Sequence, residues 1–378
     1  MTTSQPLVSI LVPVYEGADT LRECLESILA QTYTNWECTV VDNCSTDGSS
    51  ALAYRYAAMD SRIRVHENQE FLPALANHNA TLRRMSPTSK YCKVVFADDW
   101  IFPECLEKMV ANAEANPSVG LVGAYCLEGR RVTCAGLPYS TTILSGREIC
   151  RRHLLNQLYV FGSANSVLYR SDLVRSRDPF YNEANIHGDT EVCFALLKTC
   201  DFGFVHQVLT YSRVRERSLT TTSTDLHTEF GGMLHLLVTH GADYLTREEF
   251  QRRLRHHVAS YYRFLSRSLV FGREQAFWDY HKSQFTQAGL DFSHRRLFGA
   301  TLKTLYKGVL RPLDSIYKFK RARREWRQRR IRSNASHRAA GLKIRTEPSS
   351  GVKTESVDVR GTLPAHPVNP RISRASHS

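Results

Sequence analysis

Residues 91–103 read Tyr91-Cys92-Lys93-Val94-Val95-Phe96-Ala97-Asp98-Asp99-Trp100-Ile101-Phe102-Pro103, an apolar run that ends on two adjacent carboxylates. The run predicts a buried strand. Open α/β sheets hold their ligands just beyond the carboxyl ends of such strands. Adjacent carboxylates repel one another and desolvation adds to the cost, so a cation is their simplest partner. A hard divalent ion bridging Asp98 and Asp99 to a diphosphate answers both difficulties. The same letters also fit a strand end followed by a helix start, with one Asp as N-cap and Pro103 in the first turn. The flanking sequence has to choose between them.

Outward from this stretch, strand and helix patterns alternate. Val8-Ser9-Ile10-Leu11-Val12-Pro13-Val14 is a short, β-branched run typical of a buried parallel strand. Leu21, Leu25, Ile28 and Leu29 then fall on one helical face. The pattern continues with strands expected over 36–41, 63–66, 91–97 and 119–125, and helices over 47–58, 72–85 and 103–115. This rhythm predicts an α/β fold, a mostly parallel open sheet with flanking helices. Residues 127–220 are less regular, with a helix expected over 189–200 and a strand over 202–205. From 225 to about 320 the pattern is helical. Beyond about 333 the chain is rich in Ser, Pro, Arg and Gly and is expected to be disordered. The domains expected are 1–224, a catalytic α/β domain; 225–320, a helical region; and 321–378, a basic tail.

Strand ends supply the other polar groups. The first runs into Tyr15, Glu16 and Gly17, and the second into Asp42-Asn43-Cys44-Ser45-Thr46-Asp47-Gly48. In a parallel sheet both ends share an edge with Asp98 and Asp99. Asp42 can accept from an imide N–H of a base, and Tyr15 can flank a planar ring. Ser45, Thr46 and Asp47 equally suit a helix N-cap.

The charge balance is basic, with 50 Lys and Arg against 37 Asp and Glu. The excess is uneven: residues 318–332 (KFKRARREWRQRRIR) carry nine basic residues and one Glu. Such a run points to an anionic partner for the tail, a membrane surface or nucleic acid. Ten cysteines lie without a C-x-x-C pair or metal-ligand spacing, which predicts reduced thiols in the cytosol. Asn43-Cys44-Ser45 and Asn79-Ala80-Thr81 fit the glycosylation sequon but carry little weight without a secretion signal. No leader or membrane-length apolar run is evident, so a cytoplasmic location is expected. Phe298, Leu302, Leu305, Val309 and Ile316 share one helical face, opposite Lys303, Lys307, Arg311 and Lys318, with Pro312 expected to kink the helix. This amphipathic segment suits either the surface of an anionic membrane or a terminal helix packed on its own domain with a solvated basic side.

The segments VSILVPVYE (8–16), LESILAQTYTNWECTVVDNCSTDGS (25–49) and FADDWIFPE (96–104) together resemble the family 2 glycosyltransferases. These are inverting enzymes of the GT-A nucleotide-diphospho-sugar transferase fold. The resemblance covers roughly residues 6–220, and its first half holds the specific motifs in their usual order. It implies that Pro13, Tyr15 and Asp42 bind the nucleoside, that Asp98 binds ribose or metal, and that Asp99 holds Mn²⁺ or Mg²⁺ against the diphosphate. Many members read D-x-D-D where this chain has Phe96 first, an apolar side chain that cannot make the ribose or base contact an acid makes there. His187-Gly188-Asp189-Thr190-Glu191 matches the family's E-D segment, with Gly188 replacing the first acid. It implies Asp189 as the base for the acceptor hydroxyl, with Glu191 as the substitute. Tyr211-Ser212-Arg213-Val214-Arg215 resembles the closing Y-x-R-x-H segment, with Arg215 where a His often sits. Arg213 or Arg215 would then neutralise the leaving diphosphate. The Q-x-x-R-W box of processive synthases is absent, which favours single-sugar transfer to a glycan or lipid-linked acceptor in polysaccharide or glycolipid synthesis.

Two other readings stand beside it. A nucleotidyltransferase on a related sheet calls for a Gly-rich, basic triphosphate loop near the first strand, and Tyr15-Glu16-Gly17-Ala18 offers none. A nucleic-acid-binding protein led by the tail calls for aromatics interleaved among the basic residues, and the run offers only Phe319 and Trp326.

Overall fold

The structure, a computed structural model, describes residues 5–214, 226–269 and 273–310, the last four of these by backbone alone. Arg215, the side chains of Lys307 and Val309, and everything from Arg311 onward, including Pro312, Ile316, Lys318 and the basic run, lie outside the described residues. The chain divides into two units, Met1–Val309 and Leu310–Ser378.

The elements run β1 (Val8–Val14), α1 (Ala18–Leu29), β2 (Trp36–Asp42), α2 (Ser49–Met59), β3 (Ile63–Glu67), α3 (Ala74–Leu82), β4 (Tyr91–Val94), β5 (Trp100–Ile101) and α4 (Cys105–Glu114). Then come β6 (Val119–Glu128), β7 (Arg131–Thr133), β8 (Ile143–Leu144), α5 (Gly146–Leu154), β9 (Val167–Arg170), α6 (Ser171–Arg175), α7 (Gly188–Leu196) and β10 (Asp201–Ser212). Four helices follow: α8 (Glu229–Tyr244), α9 (Arg247–Leu269), α10 (Gln275–Gln287) and α11 (His294–Leu310).

One sheet carries the order β3-β2-β1-β4-β9-β6-β10-β5, with β7 on β6 and β8 on β10. Its four longest ladders, β1–β2, β2–β3, β1–β4 and β6–β10, are parallel. The irregular stretch contributes β9, which wedges antiparallel between β4 and β6. Four residues are too few for periodicity to announce it. β10, expected over 202–205, runs on to Ser212 through bulges, and its far end lies antiparallel to β5. The strand order reverses between β1 and β4, which places a crevice at that edge.

Both sheet faces are covered. One core packs Ile10, Val12 and Val40 against Leu21, Leu25 and Ile28 of α1 and Leu106 and Met109 of α4. The opposite core packs Leu11, Val94 and Tyr169 against α5, α7 and α8. A third cluster, built on Leu234, Tyr261, Leu265, Phe277 and Phe285, joins α8, α9 and α10. Apolar burial of this kind contributes roughly 25 cal/mol per Å² and is the main force holding the layers.

Candidate active site

Pro13 marks where the crevice opens. Leu11 accepts from the Val95 N–H, so Leu11 and Pro13 turn the same backbone edge toward β4, while Val14 accepts from Asn43 on the β2 side. β4 ends at Val94, so the nitrogen of Pro13, which has no hydrogen to donate, faces a position no strand fills. The missing ladder bond therefore costs nothing there.

Asp42, buried at the end of β2, accepts the Ser45 amide on Oδ2 at 2.9 Å. Its Oδ1 is buried without a partner, an acceptor that a base N–H would satisfy. Asn43 beside it is a hub. Its amide donates to the Leu72 carbonyl at 2.8 Å, and its oxygen accepts from Leu72 and Asn68 at 2.9 Å each. That hub holds loop 68–73 against the crevice and sets Phe71 edge-on to Tyr15, ring centroids 4.9 Å apart. Both rings are more than half exposed, so together they form an aromatic wall open to a ligand.

Gly48, at φ 95°, is the N-cap of α2 and has no side chain to offer, so Asp47 accepts from the first amide of that helix, Ser49 N, at 3.0 Å. Ser45, Thr46 and Asp47 also tie the β2 exit to the β1 exit. Ser45 Oγ accepts from Glu16 N at 2.9 Å, Glu16 accepts from Thr46 N at 2.8 Å, and Asp47 accepts from Ala18 N at 2.8 Å. Ser49 Oγ accepts from Gly17 N at 2.9 Å, so Asp47 and Ser49 cap α1 from the neighbouring loop. Burial works to raise the Asp47 carboxyl, but hydrogen bonds from Ser49 and Ala18 prevail and hold it below the usual range.

Asp98 and Asp99 sit past β4 as expected. Asp99 is buried, and its oxygens accept from the Arg213 amide at 2.8 Å and the Ser212 hydroxyl at 3.1 Å. Burial first, and the neighbouring Asp98 second, push its carboxyl up to about 7. The Arg213 side chain spans the turn: Nε donates to the Asp98 carbonyl at 3.1 Å, another nitrogen pairs with Glu23, and the guanidinium lies 5.4 Å from the Trp100 ring. Trp100 stacks on Tyr211 with centroids 3.5 Å apart. Buried Lys93 donates to the Asn165 and Val167 carbonyls, and Asn165 donates to the Tyr211 carbonyl at 3.1 Å. The end of β10 is thus clamped from both sides onto the two carboxylates.

No group of three or more His, Cys, Asp or Glu side chains suited to a metal occurs among the described residues. A cation here would take Asp98 and Asp99 from the protein and the rest of its oxygens from phosphate and water, as Mg²⁺ commonly does. A desolvated carboxylate beside a second one fits that charge.

Phe96, where an acid often stands, packs on His78 at 5.0 Å, and His78 lies 6.3 Å from Tyr181. Burial keeps His78 neutral, lowered to about 4. This aromatic bridge leads toward Asp189, whose charge acts on Tyr159, Tyr169 and Tyr181. Asp189 opens α7 and bonds only locally, to the Thr190 amide at 2.7 Å. Burial raises its carboxyl against the opposing pull of His187. His187 meets the Thr228 hydroxyl at 2.9 Å and lies so close to Gly232 that a Cβ there would come within 2.4 Å of the ring. Glu191 is a different kind of acid. It accepts from Asn185 at 2.7 Å and Asn182 at 3.1 Å and lies 3.2 Å from His235. Burial would raise it, but these bonds, His235 foremost, hold it down at about 2.

Residues 9–175 match the model of glycosyl transferase family 2. That region belongs to the family. Putative glycosyltransferase EpsE of Bacillus subtilis is 39% identical over 121 residues, 32% of this chain and 43% of EpsE. The putative teichuronic acid biosynthesis glycosyltransferase TuaG of the same organism is 34% identical over 110 residues, 29% of this chain and 43% of TuaG. The chain thus spans less than half of each relative. Among solved structures, residues 1–349 of S. aureus TarS in complex with UDP-GlcNAc superpose with TM-score 0.56 at 18% identity, covering 78% of this chain and 87% of that one. That likeness is one of fold, and the fold is GT-A.

The family 2 region brings Pro13, Tyr15, Asp42, Asp98 and Asp99 to the crevice edge, and β10, beyond the matched segment, adds Arg213. Sequence reasoning passed over Phe71, Asn43, Ser212 and Trp100. Phe71 stands in Glu70-Phe71-Leu72-Pro73, where a lone aromatic before a proline carries no periodic signal.

Proposed function

We propose that the chain is an inverting, divalent-cation-dependent glycosyltransferase that moves one sugar from a nucleotide-diphospho-sugar to an acceptor hydroxyl. The observation that carries this reading is the buried Asp99 beside Asp98, held by Ser212 and Arg213 with its carboxyl raised. Asp42, with one oxygen unsatisfied, takes the base, and Tyr15 with Phe71 flanks it. Asp98 and Asp99 hold Mn²⁺ or Mg²⁺, which when bound offsets the negative charge gathering on the leaving diphosphate. Arg213 fixes the turn that carries both acids and adds positive charge beside the same phosphates; Arg215 is assigned the same role from sequence.

Asp189 takes the proton of the acceptor hydroxyl as that oxygen bonds to the anomeric carbon and the bond to the diphosphate breaks. A desolvated carboxylate is the more basic for its raised pKa, which suits it to this task. Glu191, already saturated with hydrogen bonds, is a poor base and a good anchor for the 182–185 turn. The acceptor is a glycan or lipid-linked saccharide in cell-surface polysaccharide synthesis, met at the cytoplasmic face of a membrane; TuaG, named for teichuronic acid biosynthesis, supports this class. Among the described residues no helix is long and apolar enough to cross a membrane.

The test is a panel of nucleotide-diphospho-sugars, scored for donor hydrolysis with and without chelator. One donor is expected to be hydrolysed only with metal, and Cys44, the one exposed cysteine among the described residues, to be protected by it from alkylation. Hydrolysis that survives exhaustive chelation would sink the metal assignment.

A further inference from the structure

Helix α11 turns an apolar arc away from the protein. Leu297 and Ala300 pack into the third core cluster, and the Thr304 hydroxyl meets Ser266 of α9 at 3.0 Å. At 3.6 residues per turn, Phe298, Leu302, Leu305 and Tyr306 then project from the other side. They are 66, 51, 56 and 66% exposed. A helix that closes a globular domain ordinarily buries such a stripe. Arg295, Arg296 and Lys303 are exposed around it, and no acidic residue occurs from 292 to 313. Residues 311–378 add 17 Lys and Arg against 5 Asp and Glu, so 12 of the 13 excess positive charges follow this helix directly.

We infer that the outward arc of α11 is a docking surface for an anionic bilayer. Phe298, Leu302, Leu305 and Tyr306 enter the boundary between headgroups and acyl chains, and the bordering Arg and Lys meet the acidic headgroups. Charge complementarity selects this occupant. A second copy docked on the same arc would set one rim of Arg295, Arg296 and Lys303 near another, with no acidic residue from 292 to 313 to offset the charge. Residues 311–378 folded back would bring like charge to like. The inference rests on the proposed membrane-presented acceptor only for its purpose, since vesicle binding is measured without catalysis.

Co-sedimentation of the full chain with vesicles of phosphatidylcholine, alone or with roughly one-third phosphatidylglycerol, tests it. Binding is expected to the anionic vesicles only and to weaken with salt. The triple variant Phe298→Ser, Leu302→Ser, Leu305→Ser should bind at least about tenfold more weakly, because each side chain loses its apolar burial. Arg295→Glu with Lys303→Glu, which leaves the packed side of α11 untouched, should weaken binding more than about tenfold, at about fivefold per charge removed. The inference is overturned if the full chain ignores anionic vesicles at low salt, or if both variants sediment like the wild type. It is overturned equally if the triple variant loses self-association while vesicle binding is unchanged, which makes a second copy the occupant.

Discussion

Asp189 and Glu191, two residues apart on one helix, carry opposite perturbations for one reason. Burial acts on both, and only Glu191 receives enough hydrogen bonds to outweigh it. Asp189→Asn should therefore keep or raise the melting temperature at neutral pH, since the raised carboxyl is a charge the fold holds at a cost above the unfolded pKa. Turnover should fall by about 10²–10⁴ with sugar-donor binding intact. Glu191→Gln should do the reverse, destabilising by about 1–3 kcal/mol at pH 7 while leaving turnover per folded molecule close to wild type. The Glu191 carboxyl is held at about 2 against an ordinary 4.5, so its stabilisation is complete above about pH 5 and lost as pH falls toward 2. Melting curves of the two proteins should accordingly converge between pH 5 and roughly pH 3. An inactive Glu191→Gln beside an active Asp189→Asn would reverse the two roles. Asp99 follows the Asp189 logic with a metal added. Without metal, its carboxyl at about 7 makes the fold lose stability as pH rises from about 4 to about 7. Asp99→Asn should melt no lower than wild type in chelator at pH 8. Mn²⁺ with nucleoside diphosphate should raise the melting temperature of wild type alone, and transfer should be abolished.

At the scale of elements, the crevice depends on loops that hold one another as well as their own helices. Gly17 gives α1 no side-chain cap, and Asp47 and Ser49 supply it from the neighbouring β2 exit. Asp47→Ala should cost about 1 kcal/mol, the usual loss of an N-cap, and should raise the KM for the sugar donor, because one of the ties between the β1 and β2 exits is lost. A variant with the stability loss and an unchanged KM would separate the cap from the crevice. This exchange shows where sequence stops being legible. The strands read at 8–14, 36–41 and 91–97 announce β1, β2 and β4, the last ending three residues sooner, at Val94, since a strand buried on both faces is largely apolar along its length. Asp98 and Asp99 are legible for the converse reason, being charges where the pattern demands none. Asp47 reads locally as a cap for the helix that follows it, which its Oδ1 serves at Ser49 N, and only the parallel register of β1 and β2 brings its Oδ2 to the preceding helix as well. β9 and the far half of β10 are set by what they pair with. Ser212 and Arg213 therefore meet Asp99 across more than a hundred residues with no local signal beyond the family motif.

For the whole molecule, the separation of charge from chemistry has a direct consequence. Among the described residues, all three core clusters close by Ala300. The first 310 residues hold 33 Lys and Arg against 32 Asp and Glu and so are nearly neutral. On the proposed docking to an anionic bilayer, the electrostatic attraction would belong mainly to residues 311–378 and the apolar grip to α11. A chain ended at Leu310 should fold, keep its melting temperature within about 2 °C, a shift worth about 1 kcal/mol for a domain of this size, and hydrolyse the sugar donor at the wild-type rate. It should keep a residual affinity for anionic vesicles through Phe298, Leu302, Leu305 and Tyr306, with a shallower salt dependence than the full chain, because fewer charges remain to be screened. Transfer to a lipid-linked acceptor should fall more than transfer to a soluble analogue, since only the first needs the enzyme at the surface. Equal losses on both acceptors would show that residues 311–378 act on the catalytic unit itself. An unchanged salt slope would return the electrostatic attraction to Arg295, Arg296 and Lys303.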